Sequence, residues 1–390
     1  MHSVAGNKLT LLHNGAKYFP ELEAAIDSAA SEIFLETYIF ENDVTGRRIA
    51  AALERAARRG VIVHLVVDGF GSRTLPQEMI DAMSEAGVQV LVFRPEVMSF
   101  RFRRNRLRRM HRKIVVIDSE IAFVGGINII DDMHTPRQIP PRFDFAVKIE
   151  GPLLRAIHTV AKDLWAGAAR THFKRAWRNT LGRPAVIRPR GEQRAALVTR
   201  DNVRHRRDIE QAYLRAINSA KEEILIASPY FLPGRNLRRA LVNAAQQGVR
   251  VILLLQGRVE YVLLHYASLA LYGNFLDAGV EIYEYHKSFM HAKVAVVDGG
   301  WATVGSSNID PFSLLLAREA NVVVQDRKFA GELRKNLMQA VADGATQVVH
   351  ERWEHQPLWR RILIWISYGV VRFIAGVFGY GREQELKPRH

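Results

Sequence analysis

The chain contains no cysteine, and that absence removes disulfides, thiol nucleophiles and Cys-ligated metal sites at once. Acidic residues are in deficit: 40 Asp and Glu stand against 55 Lys and Arg, for a formal net charge of +15. Such an excess favours polyanionic partners, whether nucleic acid, anionic lipid surfaces or phosphorylated small molecules, and charge alone does not choose among them. The opening residues, Met1-His-Ser-Val-Ala-Gly-Asn-Lys8, contain no apolar stretch of the kind a cleavable secretion signal needs. No second group of ligand side chains accompanies Asp131-Asp-Met-His134, so that stretch is expected to be a polar loop and no metal site. Apolar residues make up 48% of the chain, which excludes wholesale disorder, and 390 residues allow two or three domains or one large two-lobed unit.

What the chain does have is one phrase written twice. Met110-His-Arg-Lys-Ile-Val-Val-Ile-Asp118 and Met290-His-Ala-Lys-Val-Ala-Val-Val-Asp298 both spell H-x-K-x4-D, and each runs on into a Gly-rich turn ending in Asn. His111 and His291, Lys113 and Lys293, Asp118 and Asp298, Gly125 and Gly305, and Asn128 and Asn308 are all 180 residues apart. The duplication reaches further. The run Ile26 to Ile33 is echoed by Ile217 to Ile224, Tyr38-Ile-Phe40 by Pro229-Tyr-Phe231, Arg59-Gly-Val by Gln247-Gly-Val, and Glu85-Ala-Gly-Val by Asp277-Ala-Gly-Val. Each echo of this kind spells a helix, a Gly stop and a strand. Helical stretches at 46–59, 77–86, 208–220 and 234–247 alternate with short β-branched runs, the pattern of an α/β lobe with a largely buried sheet. Two equivalent α/β lobes are therefore expected, over roughly 1–170 and 195–350, joined by a basic linker at 171–194 and followed by a tail, 351–390, with no partner in the first lobe.

In both copies His and Lys stand two apart at the start of a β-type run, and alternation along a strand aims both side chains at one face. The turns that follow offer backbone and amide donors to an anion, so Gly125, Gly126, Asn128, Gly305, Ser306, Ser307 and Asn308 are candidate substrate-binding residues. Paired across a pseudo-twofold axis, the halves would surround one phosphoryl group with two His, two Lys and two Asn. One neutral His can then attack phosphorus and form a covalent intermediate while the other, protonated, donates to the departing alcohol. Lys113, Lys293 and the two Asn would stabilise charge on the non-bridging oxygens, a scheme that calls for no metal and no cofactor. Each His also needs an acid to fix its tautomer. Asp144, 33 residues after His111, and Glu319, 28 residues after His291, are each expected beside the His of their own lobe, with Arg142 and Arg318 as competing partners. Asp118 and Asp298 lie five residues beyond the Lys, at the far end of the strand, where bracing the fold is the expected role.

This constellation resembles the phospholipase D superfamily, whose mark is the doubled H-x-K-x4-D with a trailing Gly-Gly/Ser-x-Asn; the resemblance covers residues 7–350. It implies two α/β/α sandwich lobes related by a pseudo-twofold axis, one central site, and phosphodiester chemistry through a phosphohistidine without metal. It also groups Asp118 and Asp298 with His111, Lys113, His291 and Lys293 in the catalytic motif, and it leans toward His111 as nucleophile and His291 as general acid. The residues alone leave that last choice open. Both motif aspartates are present, which speaks against the tyrosyl-DNA phosphodiesterase branch. The phrases from Arg109 to Asp118 and from Trp301 to Pro311, with the hydrophobic tail, look most like bacterial cardiolipin synthases, here without the pair of N-terminal transmembrane helices that some of them carry. The implied reaction moves a phosphatidyl group from one phospholipid to the hydroxyl of phosphatidylglycerol or a related alcohol. The implied location is the cytoplasmic face of a bacterial inner membrane, peripheral or anchored through the C-terminus. A phospholipase D or a metal-independent endonuclease that hydrolyses phosphodiesters is the alternative; no obligate nucleic acid is implied.

Two segments bear on that choice. Phe100-Arg-Phe-Arg-Arg-Asn-Arg-Leu-Arg-Arg109 is the densest basic run and leads straight into His111, so it favours anionic head groups, although a nuclease would use the same arginines on a nucleic-acid backbone. From Ile362 to Tyr380 only Arg372 carries charge. That length borders on a membrane span, but a central Arg is costly in hydrocarbon, and glycines weaken the helix. An interfacial or shallowly inserted helix anchored by Trp359, Trp365 and flanking arginines is expected, against the alternative of a helix packed on the protein's own surface.

Overall fold

The computed structural model describes residues 2–94, 109–135, 139–171, 177, 187–201, 205–259, 262–310, 317–350 and 357–377. Nearly all of the basic run 100–109 and most of the linker 171–194 lie outside the described residues. The first lobe contains strands β1 (Val4–His13), β2 (Glu32–Thr37), β3 (Ile62–Asp68), β4 (Gln89–Phe93), β5 (Arg109–Met110), β6 (Lys113–Ile117), β7 (Ile121–Gly125), β8 (Arg142–Phe143) and β9 (Phe145–Glu150). The second contains β10 (Gln193–Arg200), β11 (Glu223–Ser228), β12 (Arg250–Gln256), β13 (Glu281–Tyr285), β14 (Phe289–Met290), β15 (Val294–Val297), β16 (Trp301–Gly305), β17 (Ala317–Gln325) and β18 (Ala345–Gln347).

The two halves are built alike. In the first, β1, β9, β7, β6 and β2 follow one another antiparallel, and β2, β3 and β4 run parallel. In the second, β10, β17, β16, β15 and β11 repeat the antiparallel part, and β11, β12 and β13 the parallel part. Antiparallel pairing of β1 with β10, through Val4–Ala195 and Asn7–Gln193, joins the halves into one sheet.

Local chemistry accounts for the element ends. Helix Val44–Arg58 begins two residues before its expected start because the Asp43 carboxylate accepts the Gly46 N–H at 2.8 Å. A Cβ on Gly46 would lie 1.8 Å from the Glu41 carbonyl oxygen, so glycine alone closes that turn. The expected Gly stops are Gly60 at φ +92° and Gly248 at φ +88°, just past helices Val44–Arg58 and Arg235–Gln246.

Alternation along the strands divides the interior into layers. Along β2, Ile33 and Leu35 enter an outer core with helices Asn14–Asp27 and Val44–Arg58, while Phe34 enters a central core. That central core is common to both lobes: Phe34, Ile114 and Val116 belong to the same buried cluster as Leu225, Val294 and Val296. Trp165 from helix Leu154–Thr171 and Leu333 and Leu337 from helix Arg327–Gly344 complete it, all fully buried. With apolar surface shared across the seam, pulling the lobes apart would expose it to water, and this fixes the frame on which the site stands.

The last helix, Leu358–Val377, packs on helix Val262–Leu269 of the second lobe, with Ile364 and Val371 buried in that lobe's core. Its opposite side is apolar and open to solvent, with Leu358, Trp359, Ile362, Trp365, Ile366 and Phe373 exposed. The expectation of a helix packed on the protein's own surface is met on one face, and the other face leaves these apolar side chains exposed. Among the described residues, no helix is long and apolar enough to cross a membrane.

Candidate active site

The two-residue strands that lead into the motifs cross to the opposite lobe. β5 pairs in parallel with the start of β17, and the His111 N–H donates to the Arg318 carbonyl at 3.0 Å. β14 pairs in parallel with β8, and the His291 N–H donates to the Phe143 carbonyl at 2.9 Å. As a result each imidazole meets the other lobe's acid. His111 Nδ1 lies 3.0 and 3.2 Å from the two carboxylate oxygens of Glu319, and His291 Nδ1 lies 2.7 Å from Asp144 Oδ2. The expected same-lobe pairs of His111 with Asp144 and His291 with Glu319 are therefore corrected to crossed pairs. The cause is the strand exchange, which moves each His to the partner lobe's edge.

The motif residues gather at this seam. Lys113 and Lys293 are buried, and each donates from Nζ to the carbonyl of its own histidine, Lys113 to His111 at 2.6 Å and Lys293 to His291. With both Nδ1 atoms engaged by carboxylates, Nε2 is the nitrogen each ring keeps for chemistry, and neither Nε2 has a hydrogen-bond partner among the described residues. The electrostatics couple the halves. Burial, with Lys293 adding to it, pulls Lys113 down to about 7 against the pull of Glu319. Burial and then Lys293 and Lys113 hold His291 well below the ordinary imidazole range, and burial lowers His111 less severely because Glu319 opposes it. Burial raises Asp144 to about 7 even with Lys293 nearby.

The turn residues divide into several roles. Asn128 accepts the Ile39 N–H at 3.1 Å, and Asn308 is likewise buried. Ser306 donates its hydroxyl to Glu319 at 2.5 Å, tying it to the acid that holds His111. The Ser307 hydroxyl is buried with no partner among the described residues. Gly125, Gly126 and Gly305 are packing positions: added Cβ atoms would come within 2.5 Å of the Phe145 carbonyl, 2.3 Å of Asp144 Oδ1 and 2.2 Å of Asn321 Oδ1. At Gly126 the missing side chain makes room for the Asp144 carboxylate.

Asp118 and Asp298 stand apart from this cluster. The Asp118 carboxylate accepts the N–H groups of Ala30, Ser31 and Glu32 at 2.7, 2.9 and 2.8 Å, and Asp298 accepts those of Lys221, Glu222 and Glu223 at 2.8, 2.8 and 3.0 Å. Burial pushes both carboxyls up, but these hydrogen bonds outweigh it and hold them below the ordinary range. They fasten the start of β2 and β11, so their place in the catalytic group is corrected to a bracing one. The Asp131 carboxylate accepts from Thr45 and the Met133 N–H, and Asp132 accepts the Gly15 N–H, as a polar loop requires.

Three neighbours carry no motif signal. Tyr38 sets its ring 4.7 Å from His111, edge-on, with Lys113 Nζ 5.3 Å from the ring centre. Asp68 and Gln256 end β3 and β12 and accept the N–H of Met110 at 2.9 Å and of Met290 at 3.3 Å, fixing the backbone one residue before each histidine. The only sequence sign of Asp68 and Gln256 is that each ends an echoed strand, and that of Tyr38 is that it opens an echoed run.

Comparisons with known proteins agree with the duplicated architecture. A family described as cardiolipin synthase, PLD-like domain, matches residues 22–150 and 213–341, one match per lobe. Cardiolipin synthase B of Shigella flexneri and that of Escherichia coli (strain K12) are each 38% identical over 375 residues, which is 96% of this chain and 90% of theirs. Cardiolipin synthase 1 of Bacillus cereus is 30% identical, covering 90% of this chain and 70% of its own. In three dimensions a phosphatidylserine synthase of Haemophilus influenzae superposes with a TM-score of 0.70 at 13% identity, over 94% of this chain and 93% of its own, a likeness of fold. The chain belongs to the phospholipase D-like cardiolipin synthase family.

Proposed function

We propose that this protein is a cardiolipin synthase that transfers a phosphatidyl group to phosphatidylglycerol by way of a phosphohistidine. The observation that carries this is the pair of crossed His–carboxylate contacts at the seam, in a chain 38% identical to cardiolipin synthase B over nearly its whole length. His111 Nε2 attacks the donor's phosphorus, and the P–O bond to the departing alcohol breaks. His291 Nε2–H gives that oxygen its proton. An acceptor hydroxyl then returns a proton to His291 and attacks phosphorus, releasing His111. Glu319 and Asp144 hold the rings and stabilise their charged forms, and Lys113 and Lys293 carry positive charge toward the non-bridging oxygens.

The low proton affinity of His291 in the free protein comes from burial and then from the two lysines. A bound phosphodiester anion offsets those lysines, so substrate arrival itself favours the protonated acid. The exposed apolar face of helix Leu358–Val377, with Trp359 and Trp365, suits it to lie at the interface of an anionic membrane, where the net charge of +15 adds attraction.

Purified protein mixed with phosphatidylglycerol vesicles tests the proposal. Wild type should form cardiolipin and glycerol, also in the presence of a chelator, and His111→Ala should form neither. Unchanged lipid with wild type would reject it.

A further inference from the structure

If transfer between two lipids is the reaction, as proposed above, the acceptor brings a phosphodiester of its own. The two phosphates of the product are separated by a single glycerol, so that second phosphate must be held close to the one under attack. We propose that a cleft in the second lobe, between Gln256 and Arg258, is the subsite for the acceptor lipid's own phosphate.

The cleft lies at the ends of β11 and β12, under helix Val262–Leu269, and is lined also by Tyr230, His265 and Tyr272. Gln256 ties it to the reacting centre, because its Oε1 accepts the N–H of Met290, the residue before His291. The other half of that amide is spare: Gln256 is only 5% exposed, and its Nε2 has no hydrogen-bond partner among the described residues. A buried donor left unpaired is costly and calls for an acceptor. Arg258 uses Nε to bind the His286 carbonyl at 3.1 Å and forms no ion pair among the described residues, which leaves its terminal nitrogens for an anion. The nearby carboxylate, Glu284, instead accepts from the Tyr272 hydroxyl at 3.2 Å and stands 3.9 Å from His286.

The first lobe is built differently at the matching place. There β3 ends in Asp68, whose carboxylate already takes the N–H groups of Met110, Phe70 and Gly71 at 2.9, 2.9 and 3.2 Å, with Arg109 at 3.9 Å. Phe70 follows where Arg258 follows in the second lobe. An incoming phosphate would meet in one lobe a carboxylate and two arginines, Arg73 and Arg109, already set over the Phe70 ring at 5.2 Å, and in the other two spare donors. This difference breaks the symmetry of the halves and assigns the acceptor to the second. The helix over the cleft also carries helix Leu358–Val377, so exposed Leu263, Trp365 and Phe373 lie on the same lobe for the acceptor's acyl chains.

A competition between two acceptors tests the assignment. Phosphatidylglycerol vesicles are incubated with enzyme and labelled free glycerol, which has hydroxyls but no phosphate. Both acceptors use the same phosphatidyl-enzyme: lipid yields cardiolipin, and glycerol yields labelled phosphatidylglycerol. Arg258→Ala should lower the ratio of cardiolipin to labelled phosphatidylglycerol by about tenfold or more, with Arg258→Lys recovering part of it. Gln256→Glu, which keeps an acceptor for Met290 but adds a negative charge, should lower the ratio too, and it decides the matter if Arg258→Ala makes neither product. Unchanged ratios would overturn the subsite. A ratio that Arg258→Ala leaves unchanged without added salt, but that added inorganic phosphate lowers in wild type alone, would assign the cleft to free phosphate instead. Wild type that makes labelled phosphatidylglycerol and no cardiolipin would overturn transfer between two lipids, and with it the reaction on which the subsite rests.

Discussion

His111 and His291 belong to different lobes but depend on each other, because each ring is oriented by the acid of the lobe opposite. Removing either should therefore disable the whole unit. His111→Ala and His291→Ala are each expected to lower turnover by at least about 10³-fold, with the double variant no worse than the poorer single one. Losses that multiply in the double variant would mean two independent sites. Glu319→Gln keeps the shape but not the charge beside His111, and a fall in turnover on the order of 10³-fold is expected in the same assay. For Asp144, the sign of the pH effect follows from its raised value of about 7 against an ordinary 3.8. Its stabilising contribution is present below about 4 and lost as pH rises through 7, so Asp144→Asn should gain stability over wild type across that window while losing activity. Chemical denaturation at pH 4, 6 and 8 would reveal this, and a gap that does not widen with pH would contradict it.

Among elements, β5 and β14 decide the pairing of His and acid, yet they are two residues long. No periodicity can be read from so short a strand, and their partners are far away in the chain, Arg109 beside Ala317 and Phe289 beside Arg142. The motifs, the duplication and the main helices were legible because local patterns and a constant offset carry them. The crossed pairs were not, since same-lobe proximity is the natural inference from sequence spacing. Nor could spacing show that Gly126 makes room for Asp144. The bracing role of Asp118 was legible from its distance past Lys113, and it gives a further expectation. Asp118→Ala should cost about 1–2 kcal/mol in unfolding experiments, as loss of a cap does, with turnover of the folded fraction close to wild type. Collapse of turnover at full stability would return Asp118 to the catalytic group. On the last helix, replacing Trp359 and Trp365 together with Ser should weaken binding to anionic vesicles by roughly tenfold or more, the loss of two amphipathic anchors. Sedimentation with vesicles measures it, and unchanged binding would remove that helix from the membrane contact.

At the scale of the whole molecule, one sheet and one central core run through both lobes, so the seam is a fixed place rather than a gap between two moving bodies. That shared frame holds four buried or nearly buried polar residues, His111, Lys113, His291 and Lys293, in registry across the seam. The internal symmetry is strong in the backbone and broken in the side chains, with Tyr38, Asp68 and Phe70 in one half where Pro229, Gln256 and Arg258 follow in the other. Two near-identical histidines can then take different parts in one reaction. The direct measurement is to stop the reaction with labelled phosphatidylglycerol within a turnover, under neutral conditions, and locate the phosphoryl label by peptide mass spectrometry. Label on His111 alone, absent from His111→Ala and slow to form in His291→Ala, is the expected result. Equal label on both histidines, or product formed with none on either, would contradict a single site shared between the lobes.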